Sequence, residues 1–183
     1  NMMTYMVIGM IIPLLIIVLS ELLNNKIRTP KEAERLGNFK LIGTLRRVKS
    51  QNPMHAQKHP RSGYAEMMRN IRMRIEFIVQ RKNKITITIT STESGDGKTF
   101  ISTNLATLYA MGGRPTLLLD MDIRKPNVHE KLGLEAQKGV TNYLIGDCDL
   151  EDIILHNEAF AFDVIPAGTI PPNPGELVRS EKL

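Results

Sequence analysis

Apolar and polar positions along this chain fall into three regimes. From Met2 to Leu19, 18 residues pass without a charge, interrupted by Thr4, Gly9 and Pro13. As a helix this run rises about 27 Å, close to the ~30 Å hydrocarbon core, and it predicts a transmembrane helix over residues 1–22. A buried core helix would carry a polar face, and a signal peptide a preceding positive segment; neither is present. Pro13 kinks such a helix without excluding it. Residues 23–62 then read as a basic juxtamembrane linker. Within it Thr29-Pro30-Lys31-Glu32-Ala33-Glu34 starts a helix, Leu41–Leu45 is a short strand or anchor, and the proline-punctuated stretch 49–62 is expected to be mobile.

The third regime, residues 63–183, alternates helix and strand patterns. Met67, Ile71, Ile75 and Ile78 recur at three and four, predicting a helix from Gly63 to Gln80 with that stripe buried. Glu66, Arg69 and Arg72 lie on its other faces. They can pair along the helix for about 0.2–0.5 kcal/mol or project to another subunit, and composition alone favours a solvated face. Ile85–Thr90 alternates strictly, as a strand does. After Ser94-Gly95-Asp96-Gly97-Lys98-Thr99, the apolar positions Phe100, Ile101, Leu105 and Leu108 predict a helix that ends at Gly112-Gly113. Pro115–Leu119 is a continuous apolar run, as a buried parallel strand requires, and it ends in Asp120-Met121-Asp122. Phe162–Gly168 is a third strand. Strand, helix, strand, helix, strand gives an α/β fold with a parallel sheet. Ligands in such sheets sit beyond the strands' carboxyl ends, where the glycine loop, the two aspartates and Ala167-Gly168 all fall.

The glycine loop carries the chemistry. Glycines let backbone N–H groups converge on phosphate oxygens, and the following helix adds the positive end of its dipole. Lys98 reaches the outer phosphates and the Thr99 hydroxyl holds Mg²⁺, with the cradle running through Ser94, Gly95, Asp96, Gly97, Lys98, Thr99 and Phe100. The match to G-x-x-x-x-G-K-[ST] is incomplete, because Thr92 occupies the first glycine position. Set against it is a Gly-rich turn with a surface lysine. Asp120 and Asp122, two apart at a strand end, share a side and can bind Mg²⁺ or activate an attacking hydroxyl; alternatively they cap the next helix. Arg124 is expected to brace this loop or the phosphates.

Charge separates the regimes further. Residues 21–84 carry 16 Lys/Arg against 5 Asp/Glu, and residues 85–183 carry 8 against 14. The basic stretch beside the apolar run places the chain beyond about residue 22 in the cytoplasm and attracts anionic lipid headgroups. Nucleic-acid binding is disfavoured, since the basic residues lack interleaved aromatics and no recognised motif appears. The single cysteine, Cys148, fits a reducing compartment. His55 and His59 are four apart, but Pro53 and Pro60 argue against a helix aligning them. The chain opens Asn1-Met2-Met3 and stops at Glu181-Lys182-Leu183, and it reads as a piece of a longer protein.

Together these features resemble the bacterial tyrosine kinases of capsule and exopolysaccharide export, which join a chain-length-determinant membrane domain to a cytoplasmic P-loop kinase. The apolar helix is similar to that family's second membrane span, the glycine loop to Walker A, and Leu117–Pro126 to the variant aspartate motif Walker A′. Gly168-Thr169-Ile170-Pro171-Pro172-Asn173-Pro174-Gly175-Glu176-Leu177 is similar to its G-x-x-P-P-N-P-x-E-L segment. The resemblance implies a P-loop NTPase-type mostly parallel sheet flanked by helices, placed at the bacterial inner membrane and using ATP and Mg²⁺. It assigns phosphate binding to Lys98, Mg²⁺ to Thr99, and metal coordination and hydroxyl activation to Asp120 and Asp122. Glu66, Arg69 and Arg72 then match E-x-x-R-x-x-R, through which such kinases form ring-like homo-oligomers that trans-phosphorylate terminal tyrosine clusters. Its partner is the polysaccharide export machinery.

Ser94 replaces the family's usual proline. A Walker B strand and a tyrosine cluster are absent from these residues, so the kinase domain reads as C-terminally truncated. Two other readings stand beside it. A partition-type ATPase would have a lysine where Glu93 stands. A polysaccharide co-polymerase scaffold would use ATP only as an assembly switch.

Overall fold

The computed structural model describes residues 2–23, 27, 29–37, 39–50, 52–80, 82–157 and 159–177. The chain divides into two compact units, Asn1–Thr44 and Leu45–Leu183. In the first, α1 (Met2–Leu22) carries Pro13 inside it, and α2 (Pro30–Gly37) starts where Thr29 Oγ1 accepts the Glu32 N–H at 3.2 Å. Among the described residues no helix is long and apolar enough to cross a membrane; the transmembrane helix expected over residues 1–22 lies partly outside the described residues.

The second unit contains α3 (His55–Lys58), α4 (Gly63–Ile78), α5 (Lys98–Met111), β1 (Leu117–Leu119), α6 (Val128–Leu132), α7 (Val140–Ile145), a 3₁₀ turn at Glu151–Ile153, β2 (Asp163–Ile165) and α8 (Pro174–Leu177). The strands β1 and β2 pair in parallel, with Leu117 opposite Asp163, Leu118 opposite Val164 and Leu119 opposite Ile165. Leu155 bridges the far side of β2 at Val164. Because successive strand side chains face opposite ways, Val164 enters a core with Leu118, Ala106, Val128 and Phe162, whereas Ile165 enters one with Val140, Leu144 and Ile153. A third cluster joins α3, α4 and α5 through Ala56, Tyr64, Ala65, Met68, Leu105, Leu108 and Tyr109.

The structure departs from the sequence pattern in several places. Ile85–Thr90 forms no strand: Ile85 and Ile89 pack against the third cluster, and among the described residues no neighbouring strand takes up the run's N–H and C=O groups. The buried side of α4 is centred on Tyr64, Ala65 and Met68 rather than on Met67 and Ile78, and Ile78 is exposed. On β1 only Leu118 is buried, with Leu117 and Leu119 about half exposed.

The stretch expected to be mobile instead packs. Its anchor is Asn104 of α5, fully buried, whose Oδ1 accepts the Ala56 N–H at 2.7 Å. Its Nδ2 donates to the carbonyls of Pro53 (2.8 Å) and Phe100 (2.7 Å). Asn104→Leu would strand the Ala56 N–H and the Pro53 carbonyl, each costing about 1–3 kcal/mol when buried unpaired. Urea denaturation of this variant should therefore show a stability loss of about 2–6 kcal/mol, and an unchanged midpoint would refute this account of the anchor.

Candidate functional site

The site is built where the chain turns into α5. Gly95 and Gly97 adopt φ of +95° and +99°, the left-handed region that a side chain disfavours. Both lie in open surroundings, so backbone conformation and not space requires glycine there. Gly97 is the N-cap of α5 and supplies no side-chain cap; the first helical bond runs from the Ile101 N–H to the Gly97 carbonyl at 2.9 Å. The preceding first-turn N–H groups are thus available to an anion, at the positive end of the helix dipole.

Hydrogen bonds within the loop fix its shape. Asp96 Oδ2 accepts the Glu93 N–H at 3.1 Å, and the Ser91 hydroxyl donates to the Glu93 carbonyl at 2.7 Å. Lys98 Nζ folds back over this turn to donate to Ser91 Oγ at 3.2 Å. Its ammonium is therefore held beside the loop and not in bulk solvent.

Thr99 ties the loop to the aspartate segment. Its hydroxyl donates to Asn127 Oδ1 at 2.8 Å, which leaves Asn127, the N-cap of α6, without a side-chain bond to its own helix. Asp120, at the end of β1, is 5% exposed. Its Oδ1 accepts the Asp122 N–H at 3.1 Å and its Oδ2 the Val128 N–H at 3.3 Å. Burial pushes its carboxyl above the usual range, the bonds from Asp122 and Val128 oppose that shift, and the Asp122 charge adds to it. Asp122 Oδ1 accepts the Lys125 N–H at 3.0 Å and closes a turn. Arg124 is exposed and makes no hydrogen bond or ion pair among the described residues, so it does not brace the loop.

The carboxyl end of β2 forms the third landmark. Val140 and Thr141 N–H groups donate to the Pro166 and Ala167 carbonyls, each at 2.9 Å, seating α7 on the strand end. Gly139 is required by close approach, since a Cβ there would lie 2.2 Å from the Pro166 oxygen. Asn142 Oδ1 accepts the Gly139 N–H, and Thr141 Oγ1 donates to the Thr169 carbonyl.

The arginines and glutamate of α4 separate. Glu66 and Arg69 form an outer ion pair at 2.8 Å, and Arg69 also donates to the Pro60 carbonyl. Arg72 turns inward to α5. His55 and His59 do meet, with ring centroids 4.8 Å apart, because α3 forms despite the flanking prolines. Among the described residues no group of three or more His, Cys, Asp or Glu is placed to hold a metal. Ser91, Asn104 and Asn127 are contributions that the sequence reading missed; a polar residue near a motif gives no signal of its distant partner.

Residues 87–166 match the model of the CobQ/CobB/MinD/ParA nucleotide binding domain. Tyrosine-protein kinase YwqD of Bacillus subtilis is 37% identical over 131 residues, covering 72% of this chain and 55% of the relative. Tyrosine-protein kinase etk of Escherichia coli is 30% identical over 150 residues, covering 81% of this chain and 21% of the relative. The solved kinase domain of Escherichia coli tyrosine kinase ETK superposes with a TM-score of 0.78 at 27% identity, covering 86% of this chain and 66% of that one. The chimerical protein CapA2B2 superposes with a TM-score of 0.74 at 33% identity, covering 83% and 66%. The chain spans about half the length of its relative YwqD. It carries a nucleotide-binding domain of the CobQ/CobB/MinD/ParA type and belongs with the kinase domains of the bacterial tyrosine-protein kinases.

Proposed function

We propose that this chain is the ATP-dependent protein-tyrosine kinase region of a system that polymerises and exports capsular or extracellular polysaccharide. One observation carries the reading: an uncapped helix start behind two left-handed glycines, joined through Thr99 and Asn127 to the segment that follows Asp120. Relatives named as tyrosine-protein kinases support the choice of reaction.

In this reading the Ser94–Phe100 cradle receives the nucleotide phosphates through backbone N–H groups. Lys98 swings from Ser91 to the outer phosphates as charge shifts during transfer. The residues present fit a magnesium ion. Mg²⁺ uses one or two protein oxygens and completes its shell with water and phosphate, and it would neutralise charge on the transferring group. Thr99 Oγ1, which donates to Asn127, keeps lone pairs for such an ion, and the Asp120 carboxylate would hold its waters. Asp122 would orient the attacking hydroxyl. Tyr64 and Tyr109 are buried, and burial pushes the Tyr64 phenol up to about 12. These two are poor acceptors, and in our reading the acceptor tyrosines come from a neighbouring copy within a ring to which the exposed Glu66–Arg69 face contributes. The basic stretch, net +11 over residues 21–84, holds the assembly at the anionic inner face of the bacterial plasma membrane.

A second reading, an assembly switch that binds ATP without transferring phosphate, is favoured by Asp120, whose oxygens already serve the N–H groups of Asp122 and Val128.

With ATP and Mg²⁺ the full-length protein should acquire phosphotyrosine, and Lys98→Met should abolish it on an anti-phosphotyrosine blot. Phosphate release without phosphotyrosine would instead indicate an ATPase, and binding without turnover the switch. Asp120→Asn should leave metal-free ATP binding near the native value while removing its strengthening by Mg²⁺ in calorimetry; retained strengthening would take Asp120 out of the metal site. The chain should sediment with anionic vesicles at low salt and be released as salt screens the attraction, whereas salt-independent partitioning would discount the basic stretch.

A further inference from the structure

Arg72 belongs to the motif expected to face another subunit, yet its guanidinium is committed within its own chain. Nη1 donates to the Leu108 carbonyl at 2.6 Å, in the last turn of α5. Nε lies 3.8 Å from Glu76 Oε1, with both side chains about three-quarters buried. Leu108 O also accepts the Gly112 N–H at 3.2 Å, so the guanidinium is inserted at the carbonyl end of the helix, where a cation is favoured by the dipole. Gly112 leaves room for it: a Cβ there would lie 2.7 Å from Arg72 Nη1. The φ of Gly112 is −80°, open to any residue, so the missing side chain answers to space and not to backbone conformation.

The other end of α5 is the phosphate loop. Between the two ends Leu105, Leu108 and Tyr109 are buried against α3 and α4, which makes the helix a packed rod. We propose that Arg72 is a positioning residue for nucleotide binding: it pins the carbonyl end of α5 to α4 and so sets where the loop's N–H groups point. This rests on the phosphate-loop reading. It also divides the motif, giving Arg72 an internal task and leaving Glu66 and Arg69 on the outer face.

The test is calorimetric titration of the full chain with MgATP, well below each variant's melting temperature. Displacements of about 1 Å far from a reacting centre can cost up to about 10²-fold, so Arg72→Ala should weaken binding by about tenfold. Arg72→Lys, which keeps a donor for the Leu108 carbonyl, should recover part of the loss. Gly112→Ala, which crowds the guanidinium while keeping its charge, should weaken binding in the same direction. The double variant Arg72→Ala/Gly112→Ala should lose no more than Arg72→Ala alone, because both act through one contact. A merely structural role would lower the melting temperature and leave affinity unchanged, overturning the proposal. Native affinity in Arg72→Ala with reduced particle size by light scattering would overturn it in favour of a subunit contact. If the unsubstituted chain binds no MgATP, the phosphate-loop reading itself fails, a result distinct from both.

Discussion

At Gly97 the chain passes through φ +99° and enters α5 with no side chain to satisfy the helix's first N–H groups. Those groups need an acceptor, and a polyanion outside the fold is the partner that suits both their direction and the helix dipole. A helix left open in this way is useful only if it is held still. Much of unit 2 serves that end, with Asn104 binding segment 53–56 to the middle of α5, Arg72 reaching its carbonyl end, and Thr99 joining its first turn to the α6 cap.

The phosphate loop was legible in the sequence because its requirements are local. Positive φ demands glycine, and a lysine and a hydroxyl residue directly follow. Asp120 was legible for the same reason, sitting where an apolar run stops. What escaped the reading is what depends on a distant neighbour. Ser91 and Asn127 look like ordinary loop residues until Lys98 and Thr99 arrive beside them. Asn104 sits unmarked in a helical pattern, and the prolines near 53–60 disguised a segment that this amide captures. The alternation at Ile85–Thr90 describes which side chains share a face, but says nothing about a partner to complete the ladder. On α4, the stripe was misplaced because the stems of Arg72 and Glu76 belong to its covered side, where long charged residues hide apolar length behind polar heads.

Asp120 carries a structural task beside the chemistry proposed for it. It accepts the first N–H of α6 while burial raises its proton affinity. Capping and metal binding, which the sequence posed as alternatives, are compatible here, since each carboxylate oxygen has more than one lone pair to offer. The same residue thus orders the loop that brings Asn127 to Thr99.

The half-bare face of β1 bears on how this polypeptide behaves in a test tube. Leu117 and Leu119 stand 51% and 46% exposed on a strand whose only ladder partner among the described residues is β2. Greasy side chains beside unpaired main-chain groups form a template onto which other extended chains can add. Solubility during concentration, and the tendency to clump on warming, are consequently sensitive to the strand that delivers Asp120.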